Sequence, residues 1–351
     1  MTAFFGIGAM RAGTSWLGQF LRQHPDCGMA PLKELHFFDV RYGFGGGPEV
    51  FRRHSETLER WSVQVNRRIA SELDKIDRKT QHRPLGQGSA VWDGDDAAQD
   101  EDVAIPDDCP VPASVHPRLA VLEGAGIDDV LNKIIGIAEL LTVRSAAAYV
   151  SYLRRYAGSS AVFGEISPSY AVLPSEAFAE MNSLFPGAKF ILIMRDPVDR
   201  LWSQIRYGES KAKRRREQYA DPNDAFDDAR RRRQRLARSN YHCTIEALER
   251  VIPPEQILYL FYETMTSMDT GREELRRVEH FLGLESIEIP KEMMATLRNA
   301  SEPQQMSPEN EAAAMRMCGP VYEYIERRFG LPRGWREPQS RGPQIAGGDH
   351  R

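Results

Sequence analysis

The chain has 351 residues, a formal net charge of −4 at pH 7 and 41% hydrophobic residues. This length and apolar content suffice for one large α/β domain or two small ones, and the near-neutral charge argues against a general nucleic-acid-binding protein. No run of about 18 uncharged apolar residues is present, so we expect no membrane span.

The first predicted elements are a strand and a helix joined by a short glycine-containing loop. Residues 2–7 are almost continuously apolar, which predicts a buried strand. Residues 14–23 predict a helix, because Trp16, Leu17 and Phe20 lie on one face at helical spacing. His24-Pro25 ends that helix, since the residue before a proline disfavours helical backbone.

The loop between these elements, residues 8–13, reads GAMRAG and predicts an anion-binding site. In such a loop, main-chain N–H groups and a helix N-terminus point at the bound oxygens. A Walker-type loop has Lys directly after its second glycine, followed by a hydroxyl residue that holds Mg²⁺. Here Thr14 and Ser15 follow Gly13, and the cation, Arg11, lies inside the loop. The pattern favours an activated anion held without metal over a nucleoside triphosphate.

The region after the first helix is less regular. Residues 31–38 read PLKELHFF and predict a loop that ends in two aromatic residues. Residues from about 60 to 130 predict a variable loop and helix insertion. Within it, residues 80–118 are rich in Asp, Gly, Pro and Gln, and we expect them to be mobile. Residues 127–157 predict helix.

The second half of the chain alternates between predicted strands and helices. Asp196 and Pro197 predict the start of a helix directly after the most apolar strand. The alternation predicts an α/β fold, a doubly wound parallel sheet of the P-loop type flanked by helices, in a single domain over residues 1–335. Residues 336–351 predict a disordered tail. The predicted strands are 161–163, 188–194 and 256–261, and the predicted helices include 270–282 and 307–329.

The four cysteines are widely spaced and contain no CxxC pair. They indicate neither a zinc site nor a disulfide framework, and a reducing compartment fits them. The first predicted strand begins so early that no signal peptide is expected before it. We therefore expect a cytoplasmic protein without a metal site.

Two further groups of residues point to chemistry at the same edge of the predicted sheet. Arg195 follows the most apolar strand and Ser203 lies about two helical turns later, so both can reach an anion there. Taken alone, these two residues are better explained by an ion pair of Arg195 with Asp196 or Asp199 and by Ser203 as a small helix residue. Glu34 follows the anion loop closely and has the chemistry of a general base.

Four segments in order resemble sulfotransferases that use 3′-phosphoadenosine 5′-phosphosulfate (PAPS), and most closely their bacterial and heparan-sulfate-type branch. GIGAMRAGTSWL is similar to the family's 5′-phosphosulfate loop, and PLKELHFF to its P-x-K-E-P-H-F-F segment. GEISPSY is similar to its G-E-K-S-P-x-Y segment, and FILIMRDPVDRLWSQ to its 3′-phosphate motif. These segments span residues 4–207, and the later part of the chain resembles the family more loosely.

The resemblance implies a role for each matching residue. Glu34 is the expected base, Arg11 neutralises the departing phosphate, and His36 is an alternative base because other branches use His. Phe37 and Tyr170 are expected walls of the acceptor pocket, although core packing explains them equally well. The resemblance implies PAPS as co-substrate, no metal, and binding of PAPS by Arg11, Ala12, Gly13, Thr14, Ser15, Trp16, Arg195, Ser203 and Tyr241.

The sequence departs from the family at two positions and leaves the function open between three alternatives. Arg11 stands where the family usually has Lys, and Ile166 stands where it often has a second Lys near the acceptor. The leading hypothesis is sulfuryl transfer to a small-molecule, glycan or lipid acceptor. The alternatives are a P-loop kinase-like phosphotransferase and a non-catalytic protein that binds adenosine bisphosphate.

Overall fold

Five parallel strands form the centre of the computed structural model, in the order β2-β3-β1-β4-β5. The structure describes residues 1–30, 32, 34–44, 139–140, 143, 145–214, 221–227, 236–289, 293 and 304–337. The expectations for residues 60–130, for the mobile stretch within them and for most of the C-terminal tail lie outside these residues. The strands are β1 Thr2–Gly8, β2 Cys27–Met29, β3 Val162–Ile166, β4 Lys189–Met194 and β5 Ile257–Phe261.

Helices flank the sheet and connect its strands, which confirms the predicted α/β class with a parallel sheet. Short 3-10 turns occupy Pro168–Val172 and Pro254–Gln256. Within the described residues, no helix is both long and apolar enough to cross a bilayer. The helices are α1 Thr14–Gln23, α2 Phe37–Arg41, α3 Ala146–Ala157, α4 Ser175–Leu184, α5 Pro197–Arg214, α6 Tyr241–Glu249, α7 Tyr262–Met265, α8 Gly271–Leu282 and α9 Pro308–Phe329.

Most predicted elements are confirmed to within a few residues. The predicted helix at residues 14–23 is α1, and the Asp196 cap of α5 is present, with Asp196 Oδ1 accepting from the main-chain N–H groups of Val198 and Asp199, each at 3.0 Å. The strand predicted at 161–163 extends further, to Ile166. Strand β2 and helices α2, α4 and α7 were not predicted, and the loop expected over residues 31–38 ends in the first two residues of α2.

The sheet is buried on both faces. Phe4, Phe5 and Ile7 of β1 and Phe190 of β4 are all 0% exposed. Phe5 and Phe190 stack with their ring centroids 5.5 Å apart. Continuous burial explains why these strands are apolar at every position instead of at alternate positions.

The close approach of β1 and β3 depends on a glycine. Gly164 pairs with Phe4 across the sheet, and a Cβ atom at Gly164 would lie 2.1 Å from the carbonyl oxygen of Phe4. That distance is far below contact, and the neighbouring atom is main chain, which cannot move without disturbing the ladder.

Replacing Gly164 with alanine should therefore destabilise the fold. We expect Gly164→Ala to lower the free energy of unfolding by at least about 2 kcal/mol, measured by urea denaturation. The matched control is Gly319→Ala in α9, where a Cβ meets nothing within 4 Å. It should raise stability by about 0.5–1 kcal/mol, because alanine favours helix over glycine. Equal effects of the two variants would contradict this account of the sheet.

Candidate active site

The carboxyl ends of the five parallel strands meet at one edge of the sheet, and the predicted site residues follow these ends. Arg11 lies in the loop after β1, and Arg195 directly follows β4. Glu34 lies in the connection after β2, at the other side of β1 in the strand order. The point where strand order reverses beside β1 is where open α/β sheets bind ligands.

The predicted anion-binding residues Arg11, Arg195 and Ser203 are in contact. Arg11 Nε donates to Ser203 Oγ at 3.1 Å, and Arg195 Nη1 donates to the main-chain carbonyl of Arg11 at 3.0 Å. The guanidinium of Arg11 lies 4.6 Å from the ring centroid of Tyr207, and that of Arg195 lies 4.5 Å from the ring centroid of Tyr262. Both cations are thus held by aromatic faces and neutral oxygens.

Neither Arg11 nor Arg195 forms an ion pair with any residue in the described part of the chain. The Nε of Arg195 is buried and has no hydrogen-bond partner there. Burial lowers the pKa of Arg11; Tyr207 acts against this and the like charge of Arg195 adds to it. Because buried donors and charges are normally paired, these groups have the character of a site built for an anion.

The N-terminus of α1 adds to the positive potential. No side chain caps α1, and its first turn contains no acidic residue. The preceding residue, Gly13, has φ 80°, and a Cβ there would lie 2.9 Å from the side chain of Met265. Glycine is therefore favoured at this position by conformation and by space, and the N-terminus of the helix attracts negative charge.

The other predicted donor-binding residues of this loop and helix are mostly buried. Ala12 is 0% exposed, Thr14 is 5% exposed, and Ser15 is exposed. Trp16 is 6% exposed and its indole Nε1 donates to the main-chain carbonyl of Met293 at 3.0 Å. The indole N–H is thus already used in a tertiary hydrogen bond.

Tyr241, predicted to bind the donor, lies behind Arg195. Its side chain is 1% exposed, and its hydroxyl donates to the carbonyl of Arg195 at 2.7 Å while accepting from the N–H of Arg195 at 3.2 Å. Both hydroxyl bonds thus go to one main-chain unit. The geometry makes Tyr241 a support for Arg195.

Glu34 and His36 lie together with a third residue, Asp39. His36 Nδ1 is 2.7 Å from Asp39 Oδ2, and His36 Nε2 is 3.6 Å from Glu34 Oε2. Burial acts to lower the pKa of His36, but hydrogen bonds to Asp39 and Glu34 outweigh it and raise the pKa to about 9. A carboxylate beside each ring nitrogen favours the imidazolium form of His36. In that form His36 has no lone pair with which to act as a base.

Three residues other than glycine have positive φ in the described part of the chain, and they are the three predicted catalytic residues. The φ angles are 71° for Arg11, 63° for Glu34 and 59° for His36. Left-handed backbone is unfavourable for side chains of this kind and tends to occur at functional sites, where the surrounding structure maintains it.

The predicted acceptor-pocket residues differ in exposure. Phe37 is partly buried and stacks on Tyr149, with the ring centroids 4.2 Å apart. Tyr170 is 0% exposed, and its hydroxyl accepts from the main-chain N–H groups of Phe37 and Phe38. Ile166, at the position of the family's second Lys, is 1% exposed within the core. Because the side chain of Tyr170 is fully buried and its hydroxyl binds the main chain of Phe37 and Phe38, it supports the segment that follows Glu34 and has no exposed surface with which to line a pocket.

Sequence reasoning missed Tyr207, Tyr262, Asp39 and Glu165. Asp39 lies three residues after His36, a spacing that indicates contact on a helix, and so carried a usable local signal. Tyr262 contacts Arg195 from α7 and Tyr207 contacts Arg11 from α5, and no short-range pattern in the sequence indicates those contacts. Glu165 was read only as part of the GEISPSY segment.

Comparison with known families gives a match to the model of the Sulfotransferase family over residues 125–288. The matched stretch contains β3, β4, β5 and Arg195. Arg11 and Glu34 lie before it. A search of curated proteins gave no significant match.

Among solved structures, the sulfotransferase from Alicyclobacillus acidocaldarius is similar, with a TM-score of 0.53 and 18% sequence identity over 93% of this chain and 95% of that chain. At this identity the likeness shows a shared fold. The sulfotransferase STF9 from Mycobacterium avium also matches, with a TM-score of 0.41 and 17% identity over 95% of this chain and 78% of that chain. Its TM-score is too low to show a shared fold.

The charge state of His36 leads to a test. Because its folded pKa of about 9 exceeds the ordinary value near 6.5, the stabilisation from its partners is complete below pH 6.5 and is lost as the pH rises through 9. We expect nuclear magnetic resonance titration of the His36 ring to give a pKa near 9, and Asp39→Asn to lower it. Titration of the wild-type ring near 6.5 would contradict the assigned imidazolium form.

Proposed function

Because residues 125–288 match the model of the Sulfotransferase family, we propose that this chain moves a sulfuryl group from PAPS to a hydroxyl or amine of an acceptor. The observation that carries the proposal is the pair of guanidinium groups, Arg11 and Arg195, which lack a carboxylate partner among the described residues. They lie beside the N-terminus of α1, which no side chain caps. A donor with phosphate at both ends supplies the negative charge that this arrangement needs.

We assign the two ends of the donor to different residues. The loop amides, Arg11 and the N-terminus of α1 hold the 5′-phosphosulfate. Arg195 and Ser203 hold the 3′-phosphate: the free Nε of Arg195 offers a donor, and the hydroxyl hydrogen of Ser203 stays available while its oxygen accepts from Arg11. Arginine suits this task, because its planar fork pairs with phosphate oxygens through two bonds.

Glu34 is the proposed base. Its carboxylate is partly exposed, with 34% side-chain accessibility, and so can meet an acceptor that enters from solvent. The imidazolium of His36 lies 3.6 Å from that carboxylate and fixes its direction, while Asp39 fixes His36 from the other side. In our proposal Glu34 therefore removes the acceptor proton, and His36 positions Glu34.

The proposed reaction uses a small number of protein groups: Glu34, Arg11 and the main-chain amides of the loop after β1. The acceptor oxygen or nitrogen forms a bond to sulfur while the bond from sulfur to the 5′-phosphate oxygen breaks, releasing adenosine 3′,5′-bisphosphate. Glu34 takes the acceptor proton, and Arg11 with the loop amides neutralises the charge that develops on the departing phosphate. Positioning and electrostatics suffice, because the leaving group is already a good one.

The acceptor we propose is a small molecule, a glycan or a lipid. The partly buried ring of Phe37, stacked on Tyr149, supplies an apolar surface beside the base. With the buried Ile166 in place of a second Lys, this side of the site has one cation fewer than the family pattern. A weakly charged acceptor fits that surface better than a strongly acidic one.

Replacing the proposed base tests the reaction most sharply. We expect Glu34→Gln to lower transfer from radiolabelled PAPS by at least about 100-fold, because the amide cannot accept the acceptor proton. The measurement uses a panel of alcohols, phenols and amines as acceptors. Binding of adenosine 3′,5′-bisphosphate should change less than about 2-fold, since no donor contact is assigned to Glu34.

The control is Glu255→Gln, which makes the same chemical change at an exposed position. It should leave transfer unchanged. Full activity of Glu34→Gln would remove Glu34 from the mechanism, and tight bisphosphate binding without transfer to any acceptor by the wild type would favour the non-catalytic alternative.

A second variant tests recognition of the 3′-phosphate. We expect Arg195→Ala to weaken adenosine 3′,5′-bisphosphate by about 10-fold or more and 5′-AMP by far less, because a charge-assisted contact is worth about 1.5–3 kcal/mol. Isothermal calorimetry measures both ligands. Arg272→Ala on the exposed side of α8 is the control. Equal weakening of the two nucleotides by Arg195→Ala would mean that Arg195 does not contact the 3′-phosphate.

A further inference from the structure

Glu165 is a buried carboxylate at the end of β3, with 2% exposure. Its two oxygens accept from four donors. Oε1 accepts from the hydroxyls of Tyr149 and Tyr170, the latter at 2.8 Å. Oε2 accepts from Ser167 Oγ at 2.6 Å and from the main-chain N–H of Leu35 at 3.3 Å. A carboxylate is the side chain that offers acceptors alone, so it matches this ring of donors.

The residues around Glu165 hold the main chain of segment 34–38, which contains Glu34 and His36. All five consecutive N–H groups of this segment donate to acceptors on residues 165–170. The N–H of Glu34 donates to the carbonyl of Ile166 at 3.2 Å, and the N–H of Leu35 donates to Glu165 Oε2 at 3.3 Å. The N–H of His36 donates to Ser167 Oγ at 3.5 Å. The N–H groups of Phe37 and Phe38 both donate to the hydroxyl of Tyr170, at 3.1 Å and 3.4 Å.

This attachment explains how segment 34–38 keeps an unfavourable backbone. Glu34 and His36 both have left-handed φ angles, of 63° and 59°. Such backbone costs on the order of 1–3 kcal/mol at each position and persists only where surrounding contacts maintain it. The hydrogen bonds to residues 165–170 are those contacts.

Packing alone does not require a carboxylate at this position. A buried charge costs several kcal/mol to desolvate, and an apolar residue of similar size fills the same space at lower cost. Burial raises the pKa of Glu165, and the hydrogen bonds from its neighbours act against that rise. A carboxylate placed here therefore needs a purpose other than filling the core.

We infer that Glu165 is a positioning residue: by ordering Ser167, Tyr170 and the N–H of Leu35, it fixes segment 34–38 and thereby the direction of the Glu34 carboxylate. The inference rests on the proposed function for its catalytic consequence. The attachment of the segment can be measured without any reaction.

Glu165→Gln tests the inference, because an amide places two N–H donors against neighbours that themselves donate. Hydrogen-exchange mass spectrometry should show exchange of segment 34–38 accelerated by at least about 10-fold. For the acceptor that the wild type uses best in the panel, kcat should fall by at least about 10-fold, while KM for PAPS and bisphosphate affinity change less than about 2-fold.

The matched control is Glu279→Gln, at a carboxylate that is 0% exposed and accepts from the main-chain N–H of Ile287 at 3.0 Å, in α8. It should lower stability without changing kcat or the exchange of segment 34–38. Tyr170→Phe is a milder second variant that removes only the hydroxyl, and it should accelerate exchange at residues 37 and 38. It covers the case in which Glu165→Gln does not fold.

The outcomes separate the two claims. Unchanged exchange of segment 34–38 in both Glu165→Gln and Tyr170→Phe would overturn the inference whatever the activity. Accelerated exchange with unchanged kcat would overturn the catalytic role of the positioning. A wild type that transfers no sulfuryl group to any acceptor and does not bind bisphosphate would overturn the proposed function, while the exchange data would still decide the attachment.

Discussion

The two positive charges of Arg11 and Arg195 lie close together at the carboxyl edge of the sheet, and the rest of the candidate site depends on how they are held. Two guanidinium groups are linked by a hydrogen bond at 3.0 Å between the side chain of Arg195 and the main chain of Arg11. Tyrosine rings cover both cations, and no carboxylate pairs with either one among the described residues. Aromatic faces stabilise a cation less than a buried carboxylate does. This arrangement supports our proposal that the two arginines bind an anionic donor.

The part of the site that contains Glu34, the proposed base, has polar groups that are paired. Around Glu165 every donor meets an acceptor, and the backbone of segment 34–38 is attached at each of its N–H groups. One half of the edge thus holds the two arginines that we propose bind the donor, and in the other half polar groups hold Glu34, the proposed base, in an unfavourable backbone conformation. The two halves lie on either side of β1, because β1 pairs with β3, which contains Glu165, and with β4, which Arg195 follows.

The sequence predicted the elements whose signals are local. β1, α1 and α5 carry their own apolar patterns, loop glycines and cap, and the structure confirms them. β2 has three residues, and it is a strand because Cys27 pairs with Val162 far along the chain, which no local pattern reveals. Segment 34–38 was read as a loop for a similar reason: its conformation depends on hydrogen bonds to residues 165–170. The charge state of His36 likewise depends on its spatial neighbours.

The measurement that tests the account most directly is calorimetric titration of the wild-type protein with adenosine 3′,5′-bisphosphate, 5′-AMP and ATP–Mg²⁺, with EDTA present for the first two. The account predicts that the bisphosphate binds at least about 10-fold more tightly than 5′-AMP, because contacts to the 3′-phosphate are charge-assisted. Binding of ATP–Mg²⁺ with no binding of the bisphosphate would contradict a PAPS site and favour phosphoryl transfer.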